Sequence, residues 1–342
     1  MPPPSGTPAA RRKISTEKAM FDKQTYIARR KALHAKLSGG LVLLPGNDES
    51  PANYPGNTFR FRQDSTFLYF FGLNCPGCSG LLDLDSGEDV LFGDDPTLED
   101  IIWTGPQPSL AELAGEVGVE KTQSAAHLQK RIEAAVAKGR RILFLPPYRG
   151  ETRSTMSRLL GIRADRLASY ASAELARAVV ALREVKEPAE IEEIERACET
   201  AGKMHRLAMR MCRPGITERE IAGAIEGVAL QHGAGVSFPS IVTQHGETLH
   251  NHDYDHVLQS GRLMLIDAGA ETAMNYCSDF TRTFPVNGRF TGRQKDVYDI
   301  VLAANDRTFE LAGPDTFYYR MHNEASMVIA EGLKSLGLMR GN

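Results

Sequence analysis

The stretch Gly261–Asn287, GRLMLIDAGAETAMNYCSDFTRTFPVN, restricts the possible folds of this chain more than any other. A largely apolar run of strand length, Arg262–Ile266, leaves Ser260-Gly261 and delivers Asp267 at its end. Asp-Ala-Gly then turns the chain. A second extended run, Asp279–Phe284, opens on another carboxylate and is rich in β-branched and aromatic residues. Neighbouring strands that each carry an Asp near a turn can aim both carboxylates into one space. Two buried carboxylates without a partner repel and take up a proton, so such a pair calls for a cation, a shared proton or an arginine. Three readings stand at this point: a divalent-metal site, Asp residues that shape turns, and a pair between Asp and Arg282.

With 342 residues, 42% of them hydrophobic, the chain can bury a large core and suggests two domains. Its formal net charge of −3 supplies no basic field for nucleic acid or anionic lipid. No apolar run reaches membrane-spanning length, and no signal-peptide core follows the N-terminus. Five cysteines in so long a chain do not make a disulfide framework, which favours a reducing, cytoplasmic compartment.

Residues 1–20 are Pro-rich and polar and read as a disordered tail. Residues 21–182 mix helices and strands into an α/β domain. Within it, a helix runs from Phe21 to about Leu37, and Leu41–Leu44 is a buried strand. The aromatic-rich stretch 59–73 is expected as a strand pair or a strand and turn. Leu81–Asp85 and Glu88–Phe92 form a hairpin across Ser-Gly, helices lie near 108–116 and 124–138, and Arg141–Leu145 is a strand. Cys75-Pro-Gly-Cys78 has the spacing of a redox site or a zinc half-site; with no second cysteine pair, a turn carrying two small thiols is the preferred reading.

The charged segment LREVKEPAE, with Pro188 suited to a first helical position, marks the boundary of a second domain, 183–342. Ala189–Cys212 is a long helix whose AEIEEIER stretch is expected to face solvent. Thr217-x-x-Glu220 is a capping box that opens a second helix, ending near His232-Gly233. Ser237–Thr243 is extended, and a His-rich turn, His250–His256, follows. Thr291-x-x-Gln294 caps a helix to about Leu311, and 317–336 is helical again. The order helix–helix–strands–helix–helix leaves the last two helices without strands of their own to cover. The expectation is a two-unit fold of which part is missing after Asn342.

The segment KEPAEIEEIERACETAGKMHRLAMRMCRPGITEREIAGAIEGVALQHGA, with LIDAG and SDFTRTFPVNGRFT after it and FRQDSTFLYFFGL before it, resembles the aminopeptidase P family. These are metallopeptidases of the pita-bread fold, and the likeness runs from about Tyr26 to about Arg340. It implies fold class α/β (α+β), an N-terminal α/β domain followed by a partial pita-bread catalytic domain. The activity implied is Xaa-Pro aminopeptidase: removal of the first residue from peptides with penultimate proline. Prolidase, the Xaa-Pro dipeptidase, shares the architecture, and GLNCPGCSGLLDLDSG is similar to its N-terminal domain, so it is the second reading.

The family holds two divalent ions, usually manganese, on two Asp, one His and two Glu. The two Asp match Asp267 and Asp279, and a histidine that stabilises the tetrahedral intermediate matches His250. Family members associate through their N-terminal domains, which implies a homo-oligomer. The family's metal-binding His and both Glu lie further along the chain than this sequence extends; His322 and Glu324, in a helical pattern, do not resemble them. Two Asp offset only half the charge of two divalent ions, and hard ions take about six ligands each. At most one weakly held ion is therefore expected. The alternative to an enzyme is a non-catalytic homologue serving as an oligomerisation or peptide-binding module.

Overall fold

The computed structural model describes residues 20–341, so the tail expected at 1–20 lies outside the described residues except for Met20. Chain contacts divide at Glu192/Glu193 into two units. The first is a five-stranded mixed sheet in the order Lys121–Gln123, Glu88–Phe92, Ser79–Asp83, Leu41–Pro45, Ile142–Leu143. Its middle is the expected hairpin, antiparallel with Leu82 opposite Asp89, and both outer strands run parallel to their neighbours.

Strand alternation splits the core of this unit in two. Val42, Leu44, Leu82 and Leu91 pack with Tyr26, Leu33, Phe67 and Phe71 on one face. Leu41, Leu43, Leu81 and Phe92 pack with Leu128, Ile132 and Met156 on the other. Arg30 enters the first cluster almost wholly buried. It donates to the carbonyls of Phe70, Val117 and Gly118 and pairs with Asp89 at 2.8 Å, so its charge is satisfied where it sits.

Residues 59–73 depart from the expected strands, because Ser65–Phe71 is a helix. Asp64 caps it, accepting from the amides of Thr66 and Phe67, and Gly72 closes it with φ +66°. The aromatic richness that suggests β-structure reflects burial instead: Phe67, Tyr69, Phe70 and Phe71 all face core.

The helix Pro188–Met211 also differs from expectation in its charged opening. Glu190 and Glu193 are buried, whereas Ile191 is exposed. The carboxylate of Glu190 lies 3.6 Å from the guanidinium of buried Arg29, which also pairs with Glu187 at 2.7 Å. Those contacts hold the first turn of the helix in the first unit, and the division accordingly falls later than 182/183.

In the second unit, Ile241–Thr243, Leu263–Ala268 and Phe280–Pro285 form an antiparallel sheet with Leu263–Ala268 in the middle. Met264, Ile266 and Ala268 pack on Met204, Ala208, Ile221 and Ile225 from the helices Pro188–Met211 and Glu218–His232. The capping boxes at Thr217 and Thr291 are both formed. The helices Gly292–Leu311 and Tyr318–Ser335 pair with each other, with Gly332 set close against Ile300 and Arg307 3.3 Å from Glu324. Of the side chains on these two helices, only Ala304 is fully buried. Among the described residues, no helix is long and apolar enough to cross a membrane.

Candidate metal centre

The middle strand of the second sheet alternates strictly: Met264, Ile266 and Ala268 are buried under the helices, while Leu263, Leu265 and Asp267 are half-buried on the other face. Asp267 pairs directly with Thr281 across the ladder, and Ala268 with Phe280. Asp279 stands two residues before Thr281, just ahead of the strand Phe280–Pro285, and is therefore a diagonal neighbour of Asp267 on one face.

Burial raises the Asp267 carboxyl above the usual range, the Thr281 hydroxyl pulls it down, and the charge and hydrogen-bonding contact of Asp279 raise it further. One carboxylate oxygen of Asp267, Oδ1, is buried and has no hydrogen-bond partner. An acceptor without a donor beside a second carboxylate fits a cation, as the donor set of two acidic side chains also does. Among the described residues, no group of three or more His, Cys, Asp and Glu gathers around an ion-sized space. The pair supplies two of the roughly six oxygen ligands that a hard divalent ion takes.

Arg282 does not supply the cation. Its guanidinium donates to the Thr281 carbonyl and lies 5.7 Å from the Phe280 ring centre, in place of the carboxylate pairing that sequence suggests.

His250 sits in an exposed turn with its ring 6.4 Å from that of His252. Its neighbour Asn251 donates to the Thr243 hydroxyl at 3.1 Å, and Thr243 pairs with Leu265. Paired residues share a face, so the His250 turn is tied to the face that carries Asp267.

Two polar groups escape sequence reasoning. His205, buried in the long helix, lies with Nε2 3.2 Å from the Ala268 carbonyl, next to Asp267, and its ring meets Phe280 edge-on at 6.4 Å. Burial lowers its pKa, and the neutral ring donates from Nε2. The available signal was its place on the stripe Ala197, Ala201, Met204, Ala208, which reads as a core position. Glu218, fully buried, accepts from His256 Nδ1 at 3.0 Å and from the Gln244 amide at 2.8 Å, fixing the far end of the His-rich turn. In sequence it is simply an acidic first-turn residue.

Paired carboxylates on one face of a helix-covered sheet make a candidate site for a cation, and the comparisons with known proteins give the class. The family model described as metallopeptidase family M24 matches residues 192–340, and that of the aminopeptidase P N-terminal domain matches 26–144. The chain belongs to the aminopeptidase P family of M24 metallopeptidases. Xaa-Pro aminopeptidase of Escherichia coli is 29% identical over 338 residues, covering 94% of this chain and 75% of the relative. A probable Xaa-Pro aminopeptidase of Sordaria macrospora is 28% identical, with 88% and 51% covered. Among solved structures, aminopeptidase PepP of Pseudomonas aeruginosa aligns with a TM-score of 0.83 at 28% identity, over 95% of this chain and 75% of that one. Zinc-substituted E. coli aminopeptidase P in complex with product aligns at 0.82 and 28%, over 94% and 76%.

Proposed function

We propose that the chain is a proline-specific metalloaminopeptidase in design, acting on peptides whose second residue is proline. The observation that carries this is the contact of Asp267 with Asp279, with one buried Asp267 oxygen left without a hydrogen-bond partner. Names of the relatives support the substrate class. Asp267 and Asp279 would hold the metal, manganese by family likeness. When bound, such an ion supplies a Lewis acid for the peptide carbonyl and lowers the pKa of water. His250, exposed at the end of a turn anchored through Asn251, is the candidate donor to the oxygen that becomes negative as the carbonyl turns tetrahedral. The Thr281 hydroxyl and the Ile241–Thr243 strand fix Asp267 in place.

Donor counting sets the limit on catalysis. Two carboxylates meet a third of the roughly six ligands a hard divalent ion takes, and no further carboxylate or imidazole joins them in a group among the described residues. By family likeness, a full centre takes one His and two Glu besides this pair. Release of the first residue from an Xaa-Pro peptide, assayed with manganese, is expected only when the C-terminal segment of a related aminopeptidase P is supplied. Asp267→Asn is expected to abolish that restored cleavage by at least about a hundredfold. Equal cleavage by the chain alone, or by the Asp267→Asn protein, would contradict the reading.

A further inference from the structure

The described residues hold a second pair of reactive side chains in the first unit. Cys75 and Cys78 flank Pro76-Gly77, and Gly77 has φ +74°. Proline followed by a glycine of positive φ is the make-up of a type II β-turn, whose ends lie within about 7 Å. That reach overlaps the Cα separation of disulfides, about 4.4–6.8 Å. The two sulfur atoms stand 3.6 Å apart.

The turn is held rather than left loose. The Gly46 amide donates to the Cys78 carbonyl at 2.9 Å, and the buried side-chain amide of Gln63 donates to the Cys75 carbonyl at 2.7 Å. Gln63 is itself fixed, accepting from the amides of Asn47 and Asp64 at 2.6 and 2.8 Å. Gly46 cannot give way to a larger residue, because a Cβ there would lie 2.5 Å from the Cys78 carbonyl oxygen.

The two thiols also differ in the manner of an attacking and a resolving cysteine. Cys75 is partly exposed and Cys78 is buried. The hydrogen bond from Cys78 lowers the pKa of Cys75, while the same contact, together with burial, pushes Cys78 up.

We propose that Cys75 and Cys78 form a reversible dithiol–disulfide site oxidised by low-molecular-weight disulfides. The Cys75 thiolate attacks one sulfur of the oxidant RSSR, forming Cys75–S–S–R and expelling RS⁻. Cys78 then gives up its proton and attacks the Cys75 sulfur, forming the Cys75–Cys78 bond and expelling the second RS⁻. The two cysteines lose two electrons and two protons, and RSSR becomes two RSH.

The test equilibrates the whole protein in glutathione buffers of rising oxidised fraction, quenches with acid, alkylates and maps peptides by mass. The peptide carrying both cysteines is expected to become two hydrogens lighter and unalkylated in oxidised buffer, and to revert with dithiothreitol. Cys78→Ser is expected to collect a glutathione adduct at Cys75, and Cys75→Ser to collect none at Cys78. If both thiols of the unaltered protein stay alkylatable at every ratio, the proposal is overturned. Equal adduct formation in the two serine variants would overturn it as well.

Discussion

Asp267 carries its carboxylate into a half-buried position where one oxygen finds no donor and a second carboxylate stands beside it. Without a cation these charges oppose folding. In metal-free protein, Asp267→Asn is expected to leave the melting temperature unchanged or raised, while removing any rise produced by manganese. A ligand at a hundred times its dissociation constant stabilises by about 2.7 kcal/mol, which scanning calorimetry resolves easily. Asp83 shows the opposite electrostatics. Burial would raise it, but hydrogen bonds from Arg140 and the amides of Ser86 and Asp85 hold it at about 2. A depressed folded pKa contributes stability above the unfolded value, near 3.9, and loses it as pH falls towards about 2. The shift corresponds to about 2 kcal/mol for this nearly buried group. Urea midpoints measured from pH 5 to pH 2 should therefore fall less steeply in Arg140→Met than in the unaltered protein. Identical slopes would contradict the assignment.

At the scale of the element, end signals carried most of the legible structure. Thr217 with Glu220 and Thr291 with Gln294 announce helices because a capping box is local in sequence, and both form. The hairpin across Ser86-Gly87 is legible for the same reason. Ser65–Phe71 is not, since its aromatic residues satisfy β propensity as well as burial, and only the Asp64 cap tips the balance. Asp64→Ala is accordingly expected to destabilise the protein by about 1 kcal/mol in urea unfolding; no loss would mean that packing alone holds the helix. His205 and Glu218 stay hidden because their partners lie 63 and 38 residues away, at Ala268 and His256. The acidic pair itself was visible, since two neighbouring strands that each carry an Asp near a turn can aim both carboxylates into one space, whereas the destination of Arg282 depends on a rotamer that sequence does not encode.

Across the whole molecule, the two units differ in how completely they bury themselves. The first closes a sheet between two core clusters. The second covers one face of its sheet with helices and leaves Val301, Phe309, Tyr318 and Met327 on its last two helices more than half exposed. An apolar stripe on a helix ordinarily finds a partner surface. At the candidate metal centre, Asp267 and Asp279 are the two acidic donors that stand together. The chain spans 75% of its E. coli relative and about half of the Sordaria one. What these residues do build is a cradle of two carboxylates. Manganese titration followed by the electron paramagnetic resonance signal of the free ion tests that cradle most directly. Weak binding of no more than one ion per chain is expected, lost in both Asp267→Asn and Asp279→Asn. No binding, or binding that both variants retain in full, would show that the two carboxylates do not share an ion.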